Sequence, residues 1–439
     1  MKQHFRQAAA HLGLFFGLIF LFYLLLVVSA MIPNAAIREN MERSALHYGQ
    51  TDAFQFPASG RLSGVADNYA DSILLNVAWH MGEGNPLTAA IDTDYYDGEA
   101  DGINTGFYRS VTEQAAANRD YTRYWHGGAA FARMFHLITD VNGMRLIGLI
   151  TVLLLAVLNA ALLRKQGHGS LGLLLLLSLA AVQIWNIGLS LEYQTPFVVS
   201  MLICPLFLRW EKKGSGFLPL LCTAAGVTVA FFDFLTAETV TVLIPLILVI
   251  AVRAREDRLS GLRSDLMLLF RCGICWLLAY GGTFLLKWTV ATMVTGENAF
   301  LLAMQSVTER MGREVHVAYT EDPGFFTPLL ANLTVLFGGT ARVQPIRVLA
   351  GTAVSLALLS SVWYLFRQKQ PDHTGAILVL LLGMPVLLRF MVLGNHSYLH
   401  EYFTYRALSA TILALLTALL LRCAPIKNTA PSGKKRRRK

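Results

Sequence analysis

Apolar residues fill long runs separated by short polar turns, with neither the two-residue alternation of a half-buried strand nor the narrow apolar stripe of a surface helix. The first run, at 12–32, is long enough to cross the roughly 30 Å of bilayer hydrocarbon. Further runs follow at about 144–163, 171–190, 196–208, 217–236, 238–252, 266–290, 347–366, 376–394 and 407–422. Together they predict an all-α polytopic membrane protein with about ten transmembrane helices. The pattern breaks once at length, at 33–142, and again at 295–345, where the apolar stretch 329–337 is too short to span and predicts a helix lying at the interface or dipping in. No internal repeat is visible, which argues against an inverted-repeat transporter.

Charge orients this pattern. The turns Arg164-Lys165, Trp210 to Lys213, Arg253 to Arg263 and Arg367 to Lys369, and the tail at 423–439, are basic, whereas Glu192-Tyr193-Gln194 and Thr236-Ala237-Glu238 carry acids and no lysine. The loop 33–142 holds seven arginines, no lysine and half of the 28 acidic residues. Basic turns stay inside, so both termini (1–11 and 423–439) are expected in the cytoplasm and the long loop outside a plasma or inner membrane. A cleaved signal peptide, with Val28-Ser29-Ala30 as the cut, is the lesser alternative because the run is long. The 54% hydrophobic content and mean hydropathy of +0.49 set the net charge of +9 in context: it marks topology and attraction to anionic lipid, not nucleic-acid binding. The five cysteines all lie in or beside apolar runs, so no disulfide framework is expected, and Cys272-x-x-Cys275 reads as helix packing.

Within the outer loop, residues 67–80 predict an amphipathic helix on which Asp67 and Asp71 share a face. Like charges at that spacing oppose each other by a few tenths of a kcal/mol, so something should offset them: a metal, an arginine, a substrate hydroxyl or the helix dipole. Residues 82–106, rich in Gly, Asp and Asn, predict a flexible excursion, and 121–137 a return to helix. The acidic run 92–102 misses the EF-hand frame, with Tyr96 at the fifth ligand position and Asp97 where glycine belongs.

Ionisable groups also gather at the outer ends of spans, where they default to a functional reading. They are Arg123 and His126 of the run Arg123-Tyr124-Trp125-His126, then Asp233, Lys287, Arg389, His396, His400 and Arg406. Each has a plainer account. The Arg123 run can be an interfacial aromatic belt, Asp233 the partner of a nearby arginine, and Lys287 and Arg389 snorkelling cations; the His396/His400 pair has helical spacing but lacks a His-Glu-x-x-His zinc pattern.

An inside-out first helix, a large acid-bearing outer loop and many further spans resemble the GT-C superfamily of membrane glycosyltransferases. The runs Arg123-Tyr124-Trp125-His126-Gly127 and Asp233-Phe234-Leu235-Thr236 resemble elements of its bacterial members. The resemblance implies sugar transfer from a polyprenyl-phosphate donor to an extracytoplasmic glycan, lipid or protein. It implies Asp67 as catalytic base or metal ligand with Asp71 next, a divalent Mg or Mn ion if one is used, and Arg123, Lys287, Arg389 and Arg406 as phosphate contacts. His126, His396, His400 and Asp233 complete the expected substrate-binding set. Many members carry two adjacent acids, whereas here Asn68 follows Asp67. The competing function is a transporter or flippase of a lipid-linked or anionic substrate, which would place charged residues along a central path.

Overall fold

The computed structural model describes residues 2–213, 216–233, 235–312, 324–339 and 373–423, with isolated positions 349, 360 and 363. The expected span at 347–366, the turn at 367–369, the charged stretch 313–323 and the basic tail from 424 lie outside the described residues or almost wholly so.

The described residues are all-α apart from two ladders of two residues per strand. In order come α1 (Lys2–Ala30), α2 (Asn34–Gly49), β1 (Phe54–Gln55), β2 (Ala66–Asp67), α3 (Asn68–His80), α4 (Pro86–Ala89), β3 (Asp94–Tyr95), α5 (Gly102–Thr112), β4 (Arg119–Asp120) and α6 (Gly127–Phe135). The bundle follows with α7 (Val141–Lys165), α8 (Gly169–Ala181), α9 (Thr195–Trp210), α10 (Phe217–Phe232), α11 (Val240–Arg255) and α12 (Leu262–Thr295). After it come α13 (Ala299–Met311), α14 (Thr327–Leu336), α15 (Thr374–Val392), α16 (Gly394–Leu399), α17 (Glu401–Thr404) and α18 (Leu408–Cys423). Among the described residues, five helical stretches are long and apolar enough to cross a membrane: Phe5–Ala30, Val141–Lys165, Leu262–Thr295, Thr374–Val392 and Glu401–Arg422. The protein therefore has the character of a polytopic membrane protein, and shorter apolar helices such as α8, α9 and α10 pack among these five.

The loop 33–142 is a folded unit. Strands β1 and β2 pair Phe54 with Asp67, and β3 and β4 pair Asp94 with Asp120. The stretch expected as a loose excursion is tied down by Asn76, whose amide donates to the Tyr96 carbonyl (2.8 Å) and accepts from its N–H (3.3 Å). Helix α3 is amphipathic in sequence, with Asn68, Asp71, Ser72, Asn76 and His80 along one stripe, but both of its faces are covered: beyond Tyr69 and Ala70 all its residues are buried. Its polar residues are individually satisfied, Asn68 on the Asp52 carbonyl and Ser72 on Asn104. Helix α6 starts at Gly127, later than expected: residues 122–124 form a turn, Trp125 stacks on Phe231, and His126 is left-handed (φ 55°).

A buried arginine joins this unit to α1. Arg133 of α6 donates to Ser29 and Ile32 carbonyls at the end of α1 and to Ala78 near the end of α3 (2.6 Å). These are C-terminal carbonyls that lack intrahelical donors, where a cation also complements the helix dipole. At the opposite end of the bundle, buried Glu211 binds Arg253 (3.0 Å) and Arg258 (2.7 Å). Helix α14, expected to lie at the interface or dip in, buries Ala331 to Val335 and packs against α16 and α17.

Candidate functional site

A cavity of about 460 Å³ opens where α3, the 121–124 run, α13 and the 395–403 segment meet. Among the sequence candidates, Asp67, Arg123, His396 and His400 line it. Asp67 enters at the start of α3, where its Oδ1 accepts the Ala70 N–H at 2.9 Å and so caps the helix. Its Oδ2 accepts the Tyr402 hydroxyl at 2.9 Å, joining the two ends of the chain. Burial pushes the Asp67 carboxyl up to about 7, and Asp71 adds to the rise, while the Ala70 and Tyr402 hydrogen bonds and Arg145 oppose it. Burial also raises Glu192, another wall residue, well above the carboxylate range, reinforced by Asp67, Asp71 and Asp233.

Asp71 does not share this face. It is fully buried, its Oδ2 held by Arg145 (2.7 Å) and Tyr48 (3.0 Å), its Oδ1 by the Ser190 hydroxyl (2.7 Å) and the Leu191 N–H (2.8 Å). The arginine therefore supplies the compensation that the carboxylate spacing called for. Every group directed at Asp67 and Asp71 is a hydrogen donor, whereas Mg or Mn seeks oxygen ligands. Among the described residues no group of three or more His, Cys, Asp or Glu is placed to hold a metal. The residues therefore do not fit a divalent ion bridging this pair.

The 121–126 run is not an interfacial belt. Tyr124, Trp125 and His126 are buried, and a reciprocal pair of indole hydrogen bonds clamps the run to α12: Trp125 to the Thr283 carbonyl (2.8 Å) and Trp288 to the Arg123 carbonyl (3.0 Å). The Arg123 guanidinium lies over the Tyr121 ring (4.3 Å), and both it and Arg310 lie within 5.7 Å of the Tyr124 ring centre. Among the described residues neither arginine pairs with a carboxylate, and the Nε of each is buried without a hydrogen-bond partner. Both also line a second cavity of about 380 Å³, whose other walls include Tyr280, Phe284, Leu285, Trp288, Val307 and Leu393. A polar chamber and an apolar one thus meet at two guanidiniums.

The remaining candidates stand outside the chamber. His126 donates from Nε2 to the Tyr121 carbonyl, Asp233 accepts from the Thr236 N–H and hydroxyl and not from an arginine, and Lys287 donates to the Ile91 carbonyl. Arg389 does not snorkel but forms a buried pair with Glu238 (2.7 Å). Arg406 donates to the Ser63 and Tyr402 carbonyls and lies over the Tyr193 ring. Asp233, Arg389 and His396 all converge on the turn at 235–236, since His396 donates from Nε2 to the Leu235 carbonyl and Arg389 to the same oxygen.

Sequence reading noted Glu192, Asn395 and Tyr402 among the polar groups at the outer ends of spans, and Glu309-Arg310 in the segment 295–345, but chose none of them as a site residue. The chain matches no family model, no curated protein and no solved structure.

Proposed function

We propose that the protein is a membrane glycosyltransferase of the GT-C kind, with about ten spans, moving a sugar from a polyprenyl-phosphate donor to an extracytoplasmic acceptor. The observation that carries this reading is the junction of the two cavities at Arg123 and Arg310. The donor has the same three parts in the same order: an isoprenoid tail for the aromatic-lined chamber, a phosphate for the guanidiniums, and a sugar for the polar chamber. Arginine suits the middle part because its planar fork binds phosphate through two hydrogen bonds. The wall of the polar chamber, with Tyr69, Tyr95, Tyr121 and Phe403 beside Asp67, Glu192, Glu309 and Asn395, offers ring faces and acceptors suited to a hydroxyl-rich ligand.

In this reading Asp67 is the final acceptor of the acceptor hydroxyl's proton, and the arginine pair stabilises the charge that gathers on the departing phosphate. Asp71 positions α3 through Arg145. Burial of Lys287 and Arg389 in closed contacts supports the enzyme over a transport path lined by those residues.

The test is transfer of labelled sugar from polyprenyl-phosphate hexose by purified protein. Asp67→Asn should lower the rate by about 10²- to 10⁴-fold, the span of general acid–base catalysis. Arg123→Gln and Arg310→Gln should each cost about 1.5–3 kcal/mol in kcat/KM, the range of a hydrogen bond to a charged group. Full activity of Asp67→Asn would remove the reading.

A further inference from the structure

Asp67 is only 2% exposed, and both of its oxygens are engaged, so an acceptor hydroxyl in the chamber does not meet a free carboxylate. His400 does stand open to the chamber. It is half-buried on the wall, its ring stacked on Phe403 (20° between planes, centroids 5.1 Å). Its Nδ1 lies 3.3 Å from the Tyr402 oxygen. A tyrosine has one hydroxyl proton, and Tyr402 gives it to Asp67. The contact with His400 is then satisfied only by an Nδ1–H donating to Tyr402, which fixes the tautomer and leaves a lone pair on Nε2. That nitrogen makes no hydrogen bond among the described residues and is not sealed inside the protein.

We propose that His400 is the group that meets the acceptor hydroxyl, and that Tyr402 relays the proton to Asp67. The inference rests on the transferase reading above and adds a catalytic residue to it. As the acceptor oxygen bonds to the anomeric carbon, its O–H proton moves to His400 Nε2. The Nδ1 proton passes to the Tyr402 oxygen and the Tyr402 proton to Asp67 Oδ2. The bond between the anomeric carbon and the phosphate oxygen breaks, and its electron pair leaves on polyprenyl phosphate. Burial, with Arg310 and Arg389 adding to it, lowers the His400 imidazole to about 4, so the ring enters the step neutral; His396, its ring 4.8 Å away, is lowered in the same direction. The chain ends on Asp67, the more basic group.

Two measurements separate failure of the relay from failure of the transferase reading. In substrate-free protein in nanodiscs, ¹⁵N NMR of the histidine rings should show His400 protonated on Nδ1, and Tyr402→Phe should shift that resonance. A bare Nδ1, or a resonance indifferent to Tyr402→Phe, overturns the relay whatever the catalytic result. In the transfer assay, with polyprenyl-phosphate [¹⁴C]hexose and native membranes, His400→Ala should lower kcat about 10²- to 10⁴-fold while donor KM moves less than about threefold. Added imidazole should restore part of that rate, and it should not restore Tyr402→Phe. An inactive Asp67→Asn alongside a fully active Tyr402→Phe overturns the relay and leaves the transferase standing. No transfer by the wild type with the NMR pattern intact overturns the transferase reading and, with it, the acceptor role of His400, while the hydrogen-bonded chain stands.

Discussion

Asp67 and Asp71, four residues apart, illustrate how one spacing can hold two roles. Asp71 answers to Arg145 in a buried pair, and removing one partner of such a pair typically costs about 3–5 kcal/mol. Asp71→Ala should therefore lower the midpoint of thermal unfolding, read by differential scanning fluorimetry in detergent. Asp67→Asn keeps a side-chain oxygen for the Ala70 N–H, and Asn caps helices as well as Asp does, so at about pH 4 its unfolding midpoint should stay close to wild type. The same Asp67 carboxyl, held near 7 chiefly by burial, gives the reaction a rising limb: transfer should increase as pH climbs through about 7, where the carboxylate form takes over. The sign for stability is opposite. A carboxyl raised on folding favours the protonated protein, so the fold should lose stability between about pH 4 and 7, and Asp67→Asn should flatten that slope. Residue spacing announced the pair of acids but not which faced the chamber, because that depends on Arg145, Tyr48 and Ser190, which lie outside α3.

Among elements, α6 shows where local pattern ends and packing begins. Its Gly127 touches α10 so closely that an added Cβ would lie 2.5 Å from Phe232 and 2.7 Å from Phe231. Gly127→Ala should push α6 outward, cost about 1–3 kcal/mol by overpacking, and weaken donor binding through the clamped run that carries Arg123. Sequence periodicity located most described bundle helices to within a few residues, because a helix that spans lipid must be apolar along its whole length. It misjudged residues 82–106 and 121–126. There Asn76, Trp125 and Trp288 impose structure through contacts between distant segments, and composition rich in Gly and Asp carries no trace of them.

For the whole molecule, the charge of the turns makes a prediction about sidedness. A single cysteine at exposed Glu113 should react with a membrane-impermeant maleimide added to intact cells, and one at exposed Arg263 only after permeabilisation; the native Cys204, Cys222 and Cys272 are buried and should give little background. The chamber itself joins residues from distant parts of the chain, Asp67 and His400, so no local motif could have revealed it. The arginine pair at the junction has a further consequence for turnover. A donor phosphodiester carries one negative charge, whereas the polyprenyl phosphate left after transfer carries up to two at neutral pH. Two guanidiniums that pair with no carboxylate among the described residues would hold the second form more tightly than the first. In the proposed transferase, departure of the spent lipid, rather than sugar transfer, would be the slow step: rapid mixing should show a burst of about one sugar per protein before the steady rate, and Arg310→Gln should shrink the burst while quickening release.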